Sequence, residues 1–340
     1  IDKQITSKKE SSLFDSQNLR QRKIAAGYTM EELELILHPM VDEAKEATGS
    51  MGDDTPIAIL SDKYRPLSHF FRQKFSQVTN PPIDSIREQS RMSLKTRFGN
   101  LRDVLDSNSY QESVFVMDSP VVTNSIFNKM LKFGKEELVI IDCSFSTNEN
   151  ALKENIRRIQ GEAEEAVLSG KQHIVLTDKY TDETRVSIPM ILATAAVHSF
   201  LTRKGIRSFI SLHVQSAECL DTHYFAVLIG VGATTVNPYL AQECIRERHE
   251  KGLFKDYTYE ECVERYKKAV DQGLLKIMAK LGISVVSAYR GGFNFEVVGL
   301  SRSMVNEYFI GVQSRISGIG LSGVEYKIKE LHKYAYSGDI

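Results

Sequence analysis

The 340-residue chain is 42% apolar, enough to bury one large or two ordinary cores, which excludes a chain left unfolded for want of apolar surface. Its 43 Lys and Arg against 44 Asp and Glu leave a net charge of −1, so no general field draws in nucleic acid or an anionic membrane. Four scattered cysteines, Cys143, Cys219, Cys244 and Cys262, without a secretory apolar region suit free thiols in a reducing compartment, and the apolar run 188–197 is about half a bilayer span.

Residues 1–18 are polar and irregular and read as a flexible end. From 19 to 49 the pattern predicts two helices, the second opened by Thr29 and Glu32 as a capping box, carrying Leu33, Ile36 and Leu37 on one face and ending near Gly49. GDDTP (52–56) reads as a turn in which Gly52 tolerates unusual dihedrals and the acidic pair bonds nearby backbone; a metal site there would need further oxygen ligands. In LSDKYRPL (60–67), Asp62 and Arg65 read as an ordinary surface pair or as part of a domain interface. Pro81 pushes Asn80 out of the helical region, and Pro81-Pro82 makes a stiff extended run without N–H donors. Ser85 and Glu88 then have capping-box spacing, so residue physics alone reads TNPP as a rigid turn joining two helices.

MSLKT (92–96) reads as helical, after which 113–122 and 138–145 have the short apolar runs of buried strands. A helix runs from Ser146 and Glu149 to Leu168 on Leu152, Ile156, Ile159, Ala163 and Val167, closed by Gly170. HIVLTD (173–178) is the next strand, followed by an apolar helix 188–203, strands 208–214 and 224–230, and a helix around Asn237 and Pro238. Thr258 and Glu261 cap a long helix bearing Val263, Tyr266, Val270, Leu274, Ile277 and Leu281, stopped by Gly282 before a strand at 283–286. This βαβα rhythm predicts an α/β domain over 111–335, with a parallel sheet and covering helices, a helical linker at 19–110 carrying QVTNPPID, and a tail at 336–340. Five or six strands fall short of the eight a barrel needs, so an incomplete barrel is expected, with a doubly wound sheet as the alternative.

Gly230-Val231-Gly232, after a strand and before a helix, has the context of a phosphate cradle, but Thr235 stands where the third glycine belongs, which favours close turn packing. SGIGLSG (317–323) could bind a phosphate in a late barrel loop or be an ordinary terminal loop. His213, Cys219 and His223 offer ligand atoms that zinc accepts, at a spacing that matches no zinc pattern, so packed or surface histidines are favoured. No nucleophile signature places a catalytic set, and neither a catalytic residue nor a metal ligand is expected.

GSMGDDTP (49–56), LSDKYRPL, FSQVTNPPIDSIRE (75–88), MSLKTRFGNL (92–101), HIVLTD, HYFAVLIGVGATTVNPYLA (223–241), SAYRGGFNFEVVGLS (287–301) and SRISGIGL (314–321) together resemble the central region of glutamate synthase large subunits, from about Leu19 to Tyr334. The resemblance implies a segment of a longer chain that connects an N-terminal glutaminase to an FMN synthase barrel with an iron–sulfur cluster, and a fold that is a rudimentary version of that barrel. It implies that ammonia from glutamine passes through the interior to 2-oxoglutarate, with Thr79 and Asn80 at the tunnel entrance and Gly52, Asp62, Arg65, Pro81 and Pro82 in structural or interface roles. No cofactor is expected in this segment: Ile1 is not the family's N-terminal cysteine nucleophile, and no Cys-x5-Cys-x4-Cys cluster occurs. The implied partners are those two domains, with a small subunit or ferredoxin for the parent enzyme, in the cytoplasm or a plastid. A free-standing flavin- or phosphate-binding barrel enzyme using the glycine loops, and a pure interaction module, are the other readings.

Overall fold

The N-terminal part is helical in the computed structural model, which describes residues 12–49, 54–75, 83–84, 86–101, 114–148 and 151–337. Asp15 accepts a bond from the Asn18 N–H at 2.8 Å and opens α1 (Ser16–Ala25). Both bonds of the Thr29–Glu32 capping box form and open α2 (Met30–Glu32), which passes through a π-helical stretch at 33–37 into α3 (His38–Asp42). The helix stops at Asp42, short of the expected Gly49. Leu33, Leu37, Met40 and Val41 are buried, but Asp42, Glu43, Lys45 and Glu46 offer no continuing apolar stripe, and Ala44 turns left-handed at φ 52°.

Strand β1 (Phe71–Gln73) precedes a four-residue helix, α4 (Glu88–Arg91). The expected cap, Ser85, lies outside the described residues; Asp84 accepts from the N–H groups of Ile86 and Arg87 at 3.1 and 3.0 Å. MSLKT is not helical. The Ser93 N–H donates to Ser284 and the Ser93 carbonyl accepts from Val286, so a partner distant in sequence overrides local helix propensity. The chain runs on as β2 (Thr96–Phe98), antiparallel to β3 (Phe115–Met117).

After α5 (Asn124–Phe133) come β4 (Leu138–Asp142), β5 (Ser144–Ser146), α6 (Leu152–Leu168), β6 (His173–Thr177), β7 (Arg185–Ser187), α7 (Met190–Arg203) and β8 (Ser211–Gln215). The apolar run 224–230, expected as a strand, is helix α8 (Thr222–Gly230). Asp221 caps it by accepting from the Tyr224 N–H at 2.8 Å, and an apolar run buried on every side carries no periodicity to separate helix from strand. The strand falls later, at β9 (Thr235–Asn237), and α9 (Tyr239–Glu250) begins after Pro238. Strands β4, β6, β8 and β9 form one parallel sheet in chain order, and that order lacks the reversal a doubly wound sheet requires. Within β6, Ile174 and Leu176 join the main core while Val175 packs with Phe127 of α5, so the sheet is covered on both faces.

Helix α10 (Tyr259–Leu281) carries both bonds of the Thr258–Glu261 box and ends at Gly282, whose φ of 71° needs no Cβ penalty. Thr258→Ala should cost about 1 kcal/mol, read as a lower urea midpoint with an unchanged slope; an unmoved midpoint would show the box idle. Residues 283–286, expected as a strand, contribute one bridge residue, Val285, before α11 (Val286–Tyr289). Then come β10 (Phe295–Leu300), α12 (Arg302–Tyr308), β11 (Gln313–Ile319) and α13 (Leu321–Tyr336). Strands β10 and β11 pair in parallel and β1 joins β10 antiparallel, in a sheet separate from the four-stranded one.

Candidate functional site

Thr79, Asn80, Pro81, Pro82 and Gly52 lie outside the described residues. Asp62 is exposed, and no ion pair joins it to Arg65. Arg65 is half-buried, its Nε is buried without a partner, and its charge acts on Glu32 and His69, so the pair expected at the surface does not form. Gly230-Val231-Gly232 follows a helix and precedes a strand, the reverse of the expected order. An added Cβ at Gly230 would enter the Phe295 ring and one at Gly232 the His198 ring, so close packing claims both glycines. SGIGLSG is not a loop: Ser317 to Ile319 complete β11 and Gly320 is the N-cap of α13.

The histidines of the spaced trio are held apart. His213 Nε2 lies 3.1 Å from His173 Nδ1 and its Nδ1 lies 2.7 Å from Thr235 Oγ1, whereas His223 donates to the Ser68 carbonyl at 3.0 Å. Among the described residues no three His, Cys, Asp or Glu side chains gather to hold a metal. All four cysteines are buried with free thiols, and burial pushes the Cys143 and Cys219 thiols up, away from the thiolate form.

What the structure does assemble is a small cavity of about 40 Å3 at the carboxyl ends of β6, β8 and β9. Asp178 directly follows β6, Ala217 and Glu218 follow β8, and Tyr239 opens α9 just after β9. Helix α1 contributes Arg22 and Ala25 as one wall, and α13 contributes Ile328 and His332. Asp178 is buried, and its carboxylate accepts from the Ala217 N–H, at 3.1 and 2.8 Å to its two oxygens, with the Tyr239 hydroxyl and Arg22 beside it. Burial raises it to about 7, with the charge of Glu218 adding and the Ala217 bond subtracting. Glu218 is also raised by burial, though it accepts from the Tyr224 hydroxyl at 2.5 Å and the Met190 N–H at 2.8 Å. The Tyr239 hydroxyl is buried without a partner, in the field of both Asp178 and Arg22. Sequence reasoning missed these groups; the signal it had was a polar residue close behind three of the parallel strands, β6, β8 and β9, where such folds place their sites.

A parallel sheet flanked by helices, with a small cavity along its carboxyl edge, defines a mixed α/β domain. Residues 21–301 match the sequence profile described as the glutamate synthase central domain, and the chain belongs to that family. It is 56% identical over 335 residues to the glutamate synthase [NADPH] large chain of Azospirillum brasilense, covering 98% of this chain and 22% of that one. The large chain of Bacillus subtilis is 38% identical, covering 95% and 21%, and the ferredoxin-dependent glutamate synthase of Pyropia yezoensis is 38% identical, covering 95% and 22%. The chain thus spans about a fifth of the length of the curated relatives it matches. Among solved structures, a flavocytochrome b2 double mutant with pyruvate bound overlaps 81% of this chain and 90% of its own at 11% identity and a TM-score of 0.44. No helix among the described residues is long and apolar enough to cross a membrane.

Proposed function

We propose that this chain is the connecting segment of a glutamate synthase large chain, holding a glutaminase against an FMN synthase and bordering the ammonia path between them. The observation that carries the reading is 56% identity over 98% of this chain to a large chain of which it covers 22%. Strands that follow in chain order without reversal support a rudimentary barrel. The flavin and the iron–sulfur cluster belong to a neighbouring domain in this reading, and the thiols here, buried singly and held protonated, do not fit a cluster. Electrons reach that domain from a small subunit or ferredoxin, in the cytoplasm or a plastid.

Thr79 and Asn80 form the entrance. Ammonia must cross neutral, since the protonated form is no nucleophile, and a hydroxyl and a carboxamide can hand it on where carboxylates would favour ammonium. Pro81 and Pro82, with Gly52, Asp62 and Arg65, serve structural roles and domain contacts in this reading. In the full-length enzyme, Thr79→Val should lower the glutamate formed per glutamine hydrolysed several-fold. Unaltered coupling would reduce the segment to a pure interaction module.

A further inference from the structure

With both of its carboxylates ionised, the cavity at the carboxyl edge of the sheet holds more negative charge than Arg22 alone neutralises. Asp178 and Glu218 both line it, and neither is ion-paired among the described residues. Arg22, the cation in the lining, commits its guanidinium to Asn18 Oδ1 at 2.6 Å and to the carbonyls of Lys179 and Thr181 at 3.1 and 2.7 Å. Glu218 is supplied with donors by Tyr224, Met190 and Tyr64. Asp178 has fewer: a carboxylate offers about four acceptor positions, and the Ala217 N–H serves both of its oxygens, with the Tyr239 hydroxyl turned toward it but closing no bond of normal length. Beside it stands the buried, unpartnered hydroxyl of Tyr239, 1% exposed.

The unmet requirement is therefore for positive charge and for N–H donors. An anion would meet two carboxylates. A spherical divalent cation would need six or more oxygen ligands, which this lining does not converge. The volume admits roughly three water-sized particles, so the occupant has very few heavy atoms. Plain water would donate to Asp178 and Tyr239 but, above about pH 7 where the carboxylate ionises, would leave its charge uncompensated.

We propose that this cavity binds a small N–H-bearing cation of the ammonium or methylammonium class, held by the Asp178 carboxylate with the Tyr239 hydroxyl as second partner. A proton competes for the same carboxylate, because burial raises Asp178 to about 7. The groups facing it are Arg22 from α1, Tyr64 ahead of β1, Glu218 after β8, Tyr239 from α9 and His332 from α13, with the Cys143 and Cys219 thiols nearby. Of these, Arg22 opposes the cation and Glu218 assists it. The site is independent of the tunnel reading: carboxylates retain ammonium, whereas Thr79 and Asn80 would pass neutral ammonia.

The test is hydrogen–deuterium exchange on the full-length enzyme without glutamine, at constant ionic strength. Methylammonium chloride should slow exchange of the peptides covering 173–182 and 214–224 several-fold at about pH 8, with the effect fading near pH 6 as Asp178 takes a proton. Sodium and tetramethylammonium chlorides should leave those peptides unchanged. Asp178→Asn should abolish the response, and Tyr239→Phe, which keeps the ring and its packing, should raise the half-saturating concentration about tenfold. Equal protection by sodium, or a response that survives both substitutions, would overturn the site and leave ordered water as the occupant. Because no glutamine is present, the result stands whatever Thr79→Val does to coupling.

Discussion

Gly318→Ala is expected to remove about 3 kcal/mol or more of stability and to release β11 from β10. Strands β10 and β11 pair with two register shifts, between Val297 and Val298 and between Val298 and Leu300, and Gly299 sits at the second with φ 93°. Gly318 lies against it so closely that an alanine Cβ would fall within 2.8 Å of the Gly299 oxygen, carbonyl carbon and Cα. All three are backbone atoms, so no side chain can rotate aside. The strands would have to part, breaking the bond from the Ser301 N–H to the Ile319 carbonyl at 2.8 Å and disturbing Ser314, whose hydroxyl donates to the Leu300 carbonyl at 2.7 Å. The loss would travel further, because β11 leads directly into α13, which packs on α1 and walls the cavity. Urea unfolding with exchange at β10 and β11 is the measurement. Gly161→Ala is the control: it lies in α6 with nothing within 4 Å of an added Cβ and should stabilise by up to about 1 kcal/mol. A Gly318→Ala midpoint equal to the wild type would refute the close approach.

Asp178→Asn should stabilise the chain above neutrality and lose that advantage in acid. The carboxyl of Asp178 rises from 3.8 to about 7 on folding, so between these values the folded state binds a proton the unfolded state does not. Unfolding free energy then falls as pH climbs through that window, and above it the ionised carboxylate costs on the order of 2–4 kcal/mol. Glu218, raised by burial, acts in the same sense. Three histidines act oppositely: burial lowers His173 to about 4, His198 to about 3 and His213 well below its ordinary value, so they add stability as pH rises toward 6.5. The difference between wild type and Asp178→Asn cancels these other groups. Asparagine keeps an acceptor for the Ala217 N–H, so the variant should gain on the wild type steadily from pH 4 to pH 7, the two carboxyl values, and level off beyond. In ammonium-free buffer, a difference flat across that window would show that Asp178 is not held protonated.

Much of the helical framework was legible because its causes are local. The Thr29–Glu32 and Thr258–Glu261 boxes close within four residues, and Leu152, Ile156, Ile159 and Ala163 of α6 show the helical repeat directly and are buried as that repeat demands. HIVLT, bounded by Gly170 and Asp178, was a strand by length and composition. The misread stretches lacked such local causes. YFAVLIG is apolar at every position, so the side chain of Asp221, just outside it, held the one cue to a helix. MSLKT is extended because Ser284 and Val286 supply its backbone partners across nearly two hundred residues of chain.

Sequence by itself determined the family, the alternation of strands and helices, and the caps that start them, since motif order and capping spacing are properties of neighbouring residues. Only the tertiary structure decided that Arg22, Asp178, Glu218, Tyr239 and His332 share one cavity. Parallel strands deliver their carboxyl ends to a common edge whatever the distance between them along the chain, and burial at that edge, rather than residue type, raises the Asp178 carboxyl and leaves the Tyr239 hydroxyl without a partner.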